Sequence, residues 1–314
     1  VTAALRAAVI GYGSMGRNHA RVLAGLSGVD LVAIVRPSGD PGSAPAPVVG
    51  TVSEALAYGI ELAVVAAPTS THLAIGRELA DAGVPALIEK PLAGSAAEAR
   101  ELADTFESRG LLGCVGHIER YNPATRALRR RIADGELGDV YSVASRRIGP
   151  FPNRISDVGV VLDLATHDLH LTAWLTGQPF AELSARSARP GGREHEDLVT
   201  ITGRLADGTV TSHLVSWLSP LKERCTVVTG TGGAYVANTL TGELTRHGDG
   251  GERTVLETDR QEPLAVELEA FRSAVAGEGS DVVTLAEGAR VVAAAEAVLE
   301  AARTGRSVAV NDVP

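Results

Sequence analysis

The chain has 314 residues, 45% hydrophobic and 21% charged, with a formal net charge of −9. That length allows two domains with a substantial core, and the acidic balance argues against nucleic acid or an anionic membrane as partner. Its two cysteines, Cys114 and Cys225, lack zinc-finger or CxxC spacing, which fits a reducing cytoplasm and offers no disulfide framework.

No apolar run approaches the ~18 residues of a membrane span. The opening VTAALRAAVIGYG passes from a short apolar run into a glycine turn. We read it as a strand rather than a signal peptide, in a cytoplasmic protein. The first 120 residues alternate short apolar runs with helical patterns: strands at 7–10, 30–35, 61–67, within 85–91 and at 111–117, helices at 15–26, 51–59, 71–83 and 95–110. This is the rhythm of a parallel α/β sheet. RPSGDPGSAPAPVVG, residues 36–50, reads as a loop without regular structure. Ser95 and Glu98 have capping-box spacing.

Beyond an Arg-rich helix near 120–138 the pattern changes. Strand-like runs at 140–148, 182–188, 198–205, 209–218, 225–230 and 234–240 are separated by tight turns, which indicates a large antiparallel sheet. The last part is helical by periodicity.

GYGSMG (11–16) is GxGxxG placed after a strand and before a helix, the context that makes this motif a dinucleotide site. Gly11 makes the turn, Gly13 lets the backbone approach a pyrophosphate, and Gly16 lets helix and strand pack. Ser14 and Met15 complete the loop. The position that reads the ribose is Arg36, with Ser38 beside it. A guanidinium pairs with a 2′-phosphate, so NADP is favoured over NAD.

In VLDLATHDLH (161–170), placed on a helix, Asp163 and His167 share a face, His170 lies near them, and Asp168 points elsewhere. A histidine oriented by a carboxylate takes a proton from a carbinol as hydride leaves. A helix cap with a satisfied histidine, or zinc ligation, are the competing readings; no metal is expected. In EKP (89–91), Lys90 stands at the end of a parallel strand, where ligands bind.

GYGSMG, APTSTH (67–72), EKP and the Asp163/His167 pair, in this order and spacing, resemble the Gfo/Idh/MocA family of sugar and cyclitol oxidoreductases. The resemblance covers essentially the whole chain. It implies α/β architecture: an N-terminal Rossmann domain (1–120), doubly wound, with a late helix near 284–304 returning to it. A C-terminal α+β domain (121–283) would carry a large open, mostly antiparallel sheet for substrate and oligomer contacts, giving a homodimer or homotetramer. It further implies that Pro68, Thr69, His72, Glu89 and Lys90 line the cofactor, and that Lys90, Asp163 and His167 are catalytic. GHIERYNPA, RRIGPFPNRISDVGVVLDL and SWLSPLKER resemble the branch that oxidises C3 of nucleotide-linked sugars. Arg120, Arg146, Arg147, Arg154, Lys222 and Arg224 would then offer charge to a diphosphate, or form ordinary surface or interface salt bridges. Arg120, Tyr121, Asn122, Arg147, His170 and Trp217 join Asp163 and His167 as candidate substrate contacts, with Trp217 alternatively filling the sheet face. The same-class alternatives are a 3-ketoreductase on a deoxysugar nucleotide and an inositol dehydrogenase. A non-catalytic NADP-binding regulator is the alternative of another class, and the intact Lys90, Asp163 and His167 argue against it.

Overall fold

The computed structural model describes residues 4–40, 42–152, 158–248, 250–279 and 281–310. The chain divides into two units, Val1–Ile118 with Glu262–Arg290 and Glu119–Gln261 with Val291–Pro314.

The first unit holds a six-stranded sheet in the order β3-β2-β1-β4-β5-β6. Its strands are β1 (Leu5–Ile10), β2 (Val29–Val35), β3 (Val48–Val49), β4 (Leu62–Val65), β5 (Ala86–Glu89) and β6 (Gly113–Gly116). All its pairs are parallel. Such a sheet is covered on both faces, which is why these strands read as unbroken Ala, Val, Leu and Ile. The crossovers contain α1 (Ser14–Leu23), α2 (Val52–Leu56), α3 (His72–Asp81) and α4 (Ala96–Glu107). Ser95 caps α4 by accepting from the Glu98 amide, as its spacing predicts. The stretch expected to be wholly irregular instead contributes β3, where two β-branched valines pair with β2.

The second unit contains α5 (Pro123–Ala133), α6 (Thr166–Thr176) and a nine-stranded sheet. Its strands are β7 (Val140–Pro150), β8 (Phe180–Ala188), β9 (Leu198–Leu205), β10 (Val210–Ser216), β11 (Leu218–Gly230), β12 (Gly233–Asn238), β13 (Glu243–His247), β14 (Arg253–Leu256) and β15 (Val308–Ala309). The order is β14-β13-β12-β11-β7-β10-β9-β8-β15. Neighbours are antiparallel except β7 and β10, which run parallel. Ala124, Ala127 and Leu128 of α5 and Leu175 of α6 pack with Val143, Val228, Tyr235 and Leu244 of the sheet.

The return to the first unit differs from expectation. It is made by α7 (Pro263–Val275), whose Leu264, Leu268 and Phe271 share a core with Leu23, Ile34 and Leu62. The last helix, α8 (Leu285–Thr304), belongs to the first unit only through Arg290. Its Ala294, Ala295, Ala297, Val298 and Ala301 lie in the core of the second. An Ala- and Val-rich helix carries no sequence mark of which core it fills. Among the described residues no helix is long and apolar enough to cross a membrane.

α7 also buries Glu267, 1% exposed, with no hydrogen-bond partner for either carboxyl oxygen among the described residues. Burial, reinforced by the charge of Glu89, holds its pKa well above the usual carboxylate range. The folded chain therefore keeps a proton that the unfolded chain releases. Glu267 costs more stability as pH rises above that range. Glu267→Met should stabilise the protein by about 1–3 kcal/mol near pH 8 and by much less near pH 4.5. Thermal melts at both pH values measure this, and a gain that shrinks with rising pH would contradict a buried neutral acid.

Candidate active site

Gly11, Gly13 and Gly16 bridge β1 and α1. Gly11 sits at φ +94°, and a Cβ on Gly16 would collide with the Gly11 carbonyl oxygen; only glycine fits at either position. Gly13 is different. Its φ of −79° suits any residue, and a Cβ there would meet nothing within 4 Å. Side chains cap α2, α4 and α5 through Thr51, Ser95 and Asn122, whereas Gly13 caps α1 with none. No side chain of residue 13 therefore occupies the N-terminus of α1, an arrangement that fits a dinucleotide diphosphate. Arg36 follows β2, which lies beside β1. Its Nη1 donates to the Gly39 carbonyl at 2.7 Å, and Ser38 is exposed next to it.

Parallel pairing sets the ends of β4 and β5 along the same edge of the sheet as the end of β1. After β4, Pro68 is exposed and Thr69 half-buried in a tight turn closed by the Thr71 hydroxyl on the Pro68 carbonyl, 2.7 Å. His72 departs from its expected role. It is buried, with its ring nitrogens facing the carbonyls of Leu92 (3.1 Å) and Ala67 (3.0 Å), and so ties the loop after β4 to the loop after β5.

Glu89 also turns away from a cofactor role. Its carboxylate accepts from His19 Nε2 at 2.7 Å and from the Lys90 amide at 3.1 Å. Burial opposes its ionisation. The His19 hydrogen bond and the charges of His19 and Lys90 outweigh that and hold it below the usual carboxylate range. Gly116, its neighbour on β6, leaves room for it: a Cβ there would lie 3.1 Å from the carboxyl carbon. His19 was not singled out in the sequence. The available signal was its place on the buried face of α1 with Gly16, Ala20 and Leu23. Lys90 follows at the C-terminal end of β5, before a cis bond to Pro91.

In the second unit, Val161–Ala165 forms a π-helical turn that runs into α6, where a regular helix was expected. Such wide turns re-aim side chains and recur at functional sites. Asp163 lies on the π turn and His167 in the first turn of α6, 3% and 8% exposed. Val161 N–H donates to Glu196 at 2.9 Å and the Thr166 hydroxyl to the Leu162 carbonyl at 2.9 Å, holding the entry. Burial, and then the charge of Arg120, push the pKa of His170 down to about 3. It is therefore a neutral imidazole near physiological pH. Arg120 is buried with its guanidinium over the Trp174 ring, and Tyr121 is buried beside it in the chain.

The structure gives three other expected substrate contacts internal work. Asn122 caps α5, accepting from the Ala124 amide at 3.0 Å, and donates to the Thr239 carbonyl at 2.9 Å. Trp217 fills the core edge-to-face with Phe151, with Arg193 over its ring. Arg147 is buried between Asp168 and Glu119. The positive cluster also thins, since Arg146 pairs with Glu223 at 2.8 Å. Arg154 lies outside the described residues. Exposed Lys222 and part-buried Arg224 remain. Burial, then the charge of Arg147, lower the pKa of Arg224 against the opposing fields of Glu119, Asp168 and Asp163.

Residues 5–117 match the oxidoreductase family with an NAD-binding Rossmann fold, and residues 125–236 match the Gfo/Idh/MocA C-terminal domain. The chain belongs to the Gfo/Idh/MocA family. It is an oxidoreductase with an NAD-binding Rossmann domain, as its motifs implied. It is 29% identical over 309 residues to a UDP-N-acetylglucosamine 3-dehydrogenase of Acidithiobacillus ferrooxidans, covering 93% of this chain and 95% of that one. The solved structure of that enzyme matches with a TM-score of 0.86 at 28% identity, covering 95% and 97%. Myo-inositol dehydrogenase Hyg17 of Streptomyces leeuwenhoekii is 32% identical over 220 residues, 65% of this chain and 67% of that one. GenD2 from gentamicin A biosynthesis, solved in complex with NAD, has a TM-score of 0.86 at 28% identity and covers 99% and 97%.

The glycines separate folding from binding. Gly16→Ala should destabilise the fold, whereas Gly13→Val should leave the melting temperature nearly unchanged and weaken dinucleotide binding by about 100-fold, the loss of roughly 3 kcal/mol of contacts. Melting curves and nicotinamide fluorescence titrations test both, and unchanged affinity in Gly13→Val would remove Gly13 from the site.

Proposed function

We propose that this Gfo/Idh/MocA oxidoreductase oxidises a secondary alcohol at C3 of a nucleotide-linked sugar, with NADP preferred over NAD. The observation that carries the acid–base part is the buried Asp163 and His167 on a π-to-α helix, in a chain whose Gly11–Gly16 turn fits a dinucleotide. The sugar is supported by the near full-length likeness to the UDP-N-acetylglucosamine 3-dehydrogenase. A second reading, cyclitol oxidation, is favoured by the likeness to Hyg17 and by the carboxylates that already pair Arg146 and Arg147.

A bound nicotinamide supplies the hydride acceptor. His167 takes the hydroxyl proton, Asp163 orients the imidazole, and the Lys90 ammonium stabilises charge on the oxygen. Loss of a general base costs about 10²–10⁴-fold in rate, so His167→Ala should lower kcat by that order while dinucleotide affinity stays unchanged. His167→Gln should also abolish the acid limb of kcat/KM, and His170→Gln should keep it, because His170 stays neutral down to about 3. Near wild-type turnover in the alanine variant would make this run a structural helix.

The cofactor preference rests on Arg36, placed at the end of β2. Arg36→Asp should reverse the order of the NADP and NAD dissociation constants; equal constants before and after would remove Arg36. For the substrate, absorbance assays should find UDP-N-acetylglucosamine turned over and free myo-inositol poorly so, and the opposite result would select the cyclitol reading.

A further inference from the structure

We infer that Arg147 is a positioning residue for the proposed reaction: one buried guanidinium fixes the two segments that carry the candidate base and the candidate substrate contacts. This rests on the reading of His167 as the base. Arg147 stands on β7. Its Nε donates to Asp168 Oδ2 at 2.9 Å and its Nη1 to Glu119 Oε1 at 2.7 Å. Asp168 directly follows His167. Glu119 directly precedes Arg120 and Tyr121 in the short 3₁₀ turn Ile118–Tyr121. The side chains of Arg147 and Asp168 are 3% and 2% exposed.

A single carboxylate would neutralise Arg147; two give it a direction as well as a charge. A planar guanidinium donates along fixed lines, so each carboxylate has one place to sit. Arg224 lies in the field of both carboxylates and of Arg147, with its Nη1 on the Ile148 carbonyl at 3.0 Å. His213 packs on the same side with its Nδ1 2.8 Å from the Ser145 hydroxyl. Burial, against the pull of Asp168, leaves it uncharged near neutral pH, so it does not compete for the carboxylate. To swing His167 off its line, α6 must draw Asp168 from Arg147 and leave a buried charge unpaired, which is strongly unfavourable. An ordinary apolar contact imposes no such directional restraint.

Asp168→Asn and Glu119→Gln keep shape while each weakens one arm, a neutral amide oxygen accepting where a carboxylate made a charge-assisted bond. In assays with UDP-N-acetylglucosamine and NADP, Asp168→Asn should lower kcat by about tenfold or more with KM within about threefold. Glu119→Gln should do the reverse, raising KM by about fivefold or more with kcat within about threefold. Arg147→Lys keeps the charge without the fork and should show both losses. Amide hydrogen exchange requires no substrate. It should quicken at 161–170 in Asp168→Asn and at 118–122 in Glu119→Gln, with 5–35 unchanged. Parallel losses in kcat and KM in both single-arm variants, or unaltered exchange at both segments, overturn the inference. If the wild type turns over no UDP-sugar, the substrate reading falls and the exchange pattern alone decides the role of Arg147.

Discussion

The cost of burying charge governs both units of this protein. An ionised side chain withdrawn from water must find a partner of opposite sign or a dense set of hydrogen bonds. In the first unit Glu89 meets that demand with His19; in the second, Arg147 meets it with Asp168 and Glu119. In each case a second ionisable residue stands immediately next in sequence: Lys90 after Glu89, His167 before Asp168, Arg120 after Glu119. One member of each neighbouring pair anchors the backbone internally. The other is the one proposed for chemistry or recognition.

This division explains what the sequence revealed and what it hid. The parallel sheet was legible because both of its faces are covered, so its strands are continuous apolar runs. The glycine turn was legible because Gly11 and Gly16 are demanded by backbone sterics alone, before any ligand is considered. β13 and β14 were missed because they are short, polar on one face and near the edge of an open sheet. β15 was missed because two residues carry no period. The fate of α8 was hidden because alanine packs equally well in either core.

The site was legible at the level of residue type and less so at the level of direction. Strand alternation set Glu89 apart from Lys90 and helical spacing set Asp168 apart from His167; in the structure Glu89 meets His19 and Asp168 meets Arg147. Asn122, His72 and Trp217 were expected as ligand contacts because the segments that carry them resemble those of the family. Each proved to have an internal partner: a helix cap, a pair of carbonyls, a ring edge. Leu92 lies 20 residues from His72 and Thr239 lies 117 from Asn122, and no local pattern announces those two; the cap is different, since an asparagine before Pro123 is itself a helix-start signal. The same limit applied to the basic residues, whose excess suggested a diphosphate until Glu119, Asp168 and Glu223 were found beside them.

Hydride transfer at C3 of a sugar, with the hydroxyl proton leaving through His167, is the claim on which the functional reading turns. The most direct measurement follows the hydrogen itself. UDP-N-acetylglucosamine deuterated at C3 is incubated with the protein and NADP, and the reduced nicotinamide is analysed by mass spectrometry. Deuterium should appear in the reduced cofactor with a 3-keto sugar as co-product, and both should be lost in His167→Ala. Reduced cofactor without deuterium, or label transfer undiminished in His167→Ala, would contradict the assignment.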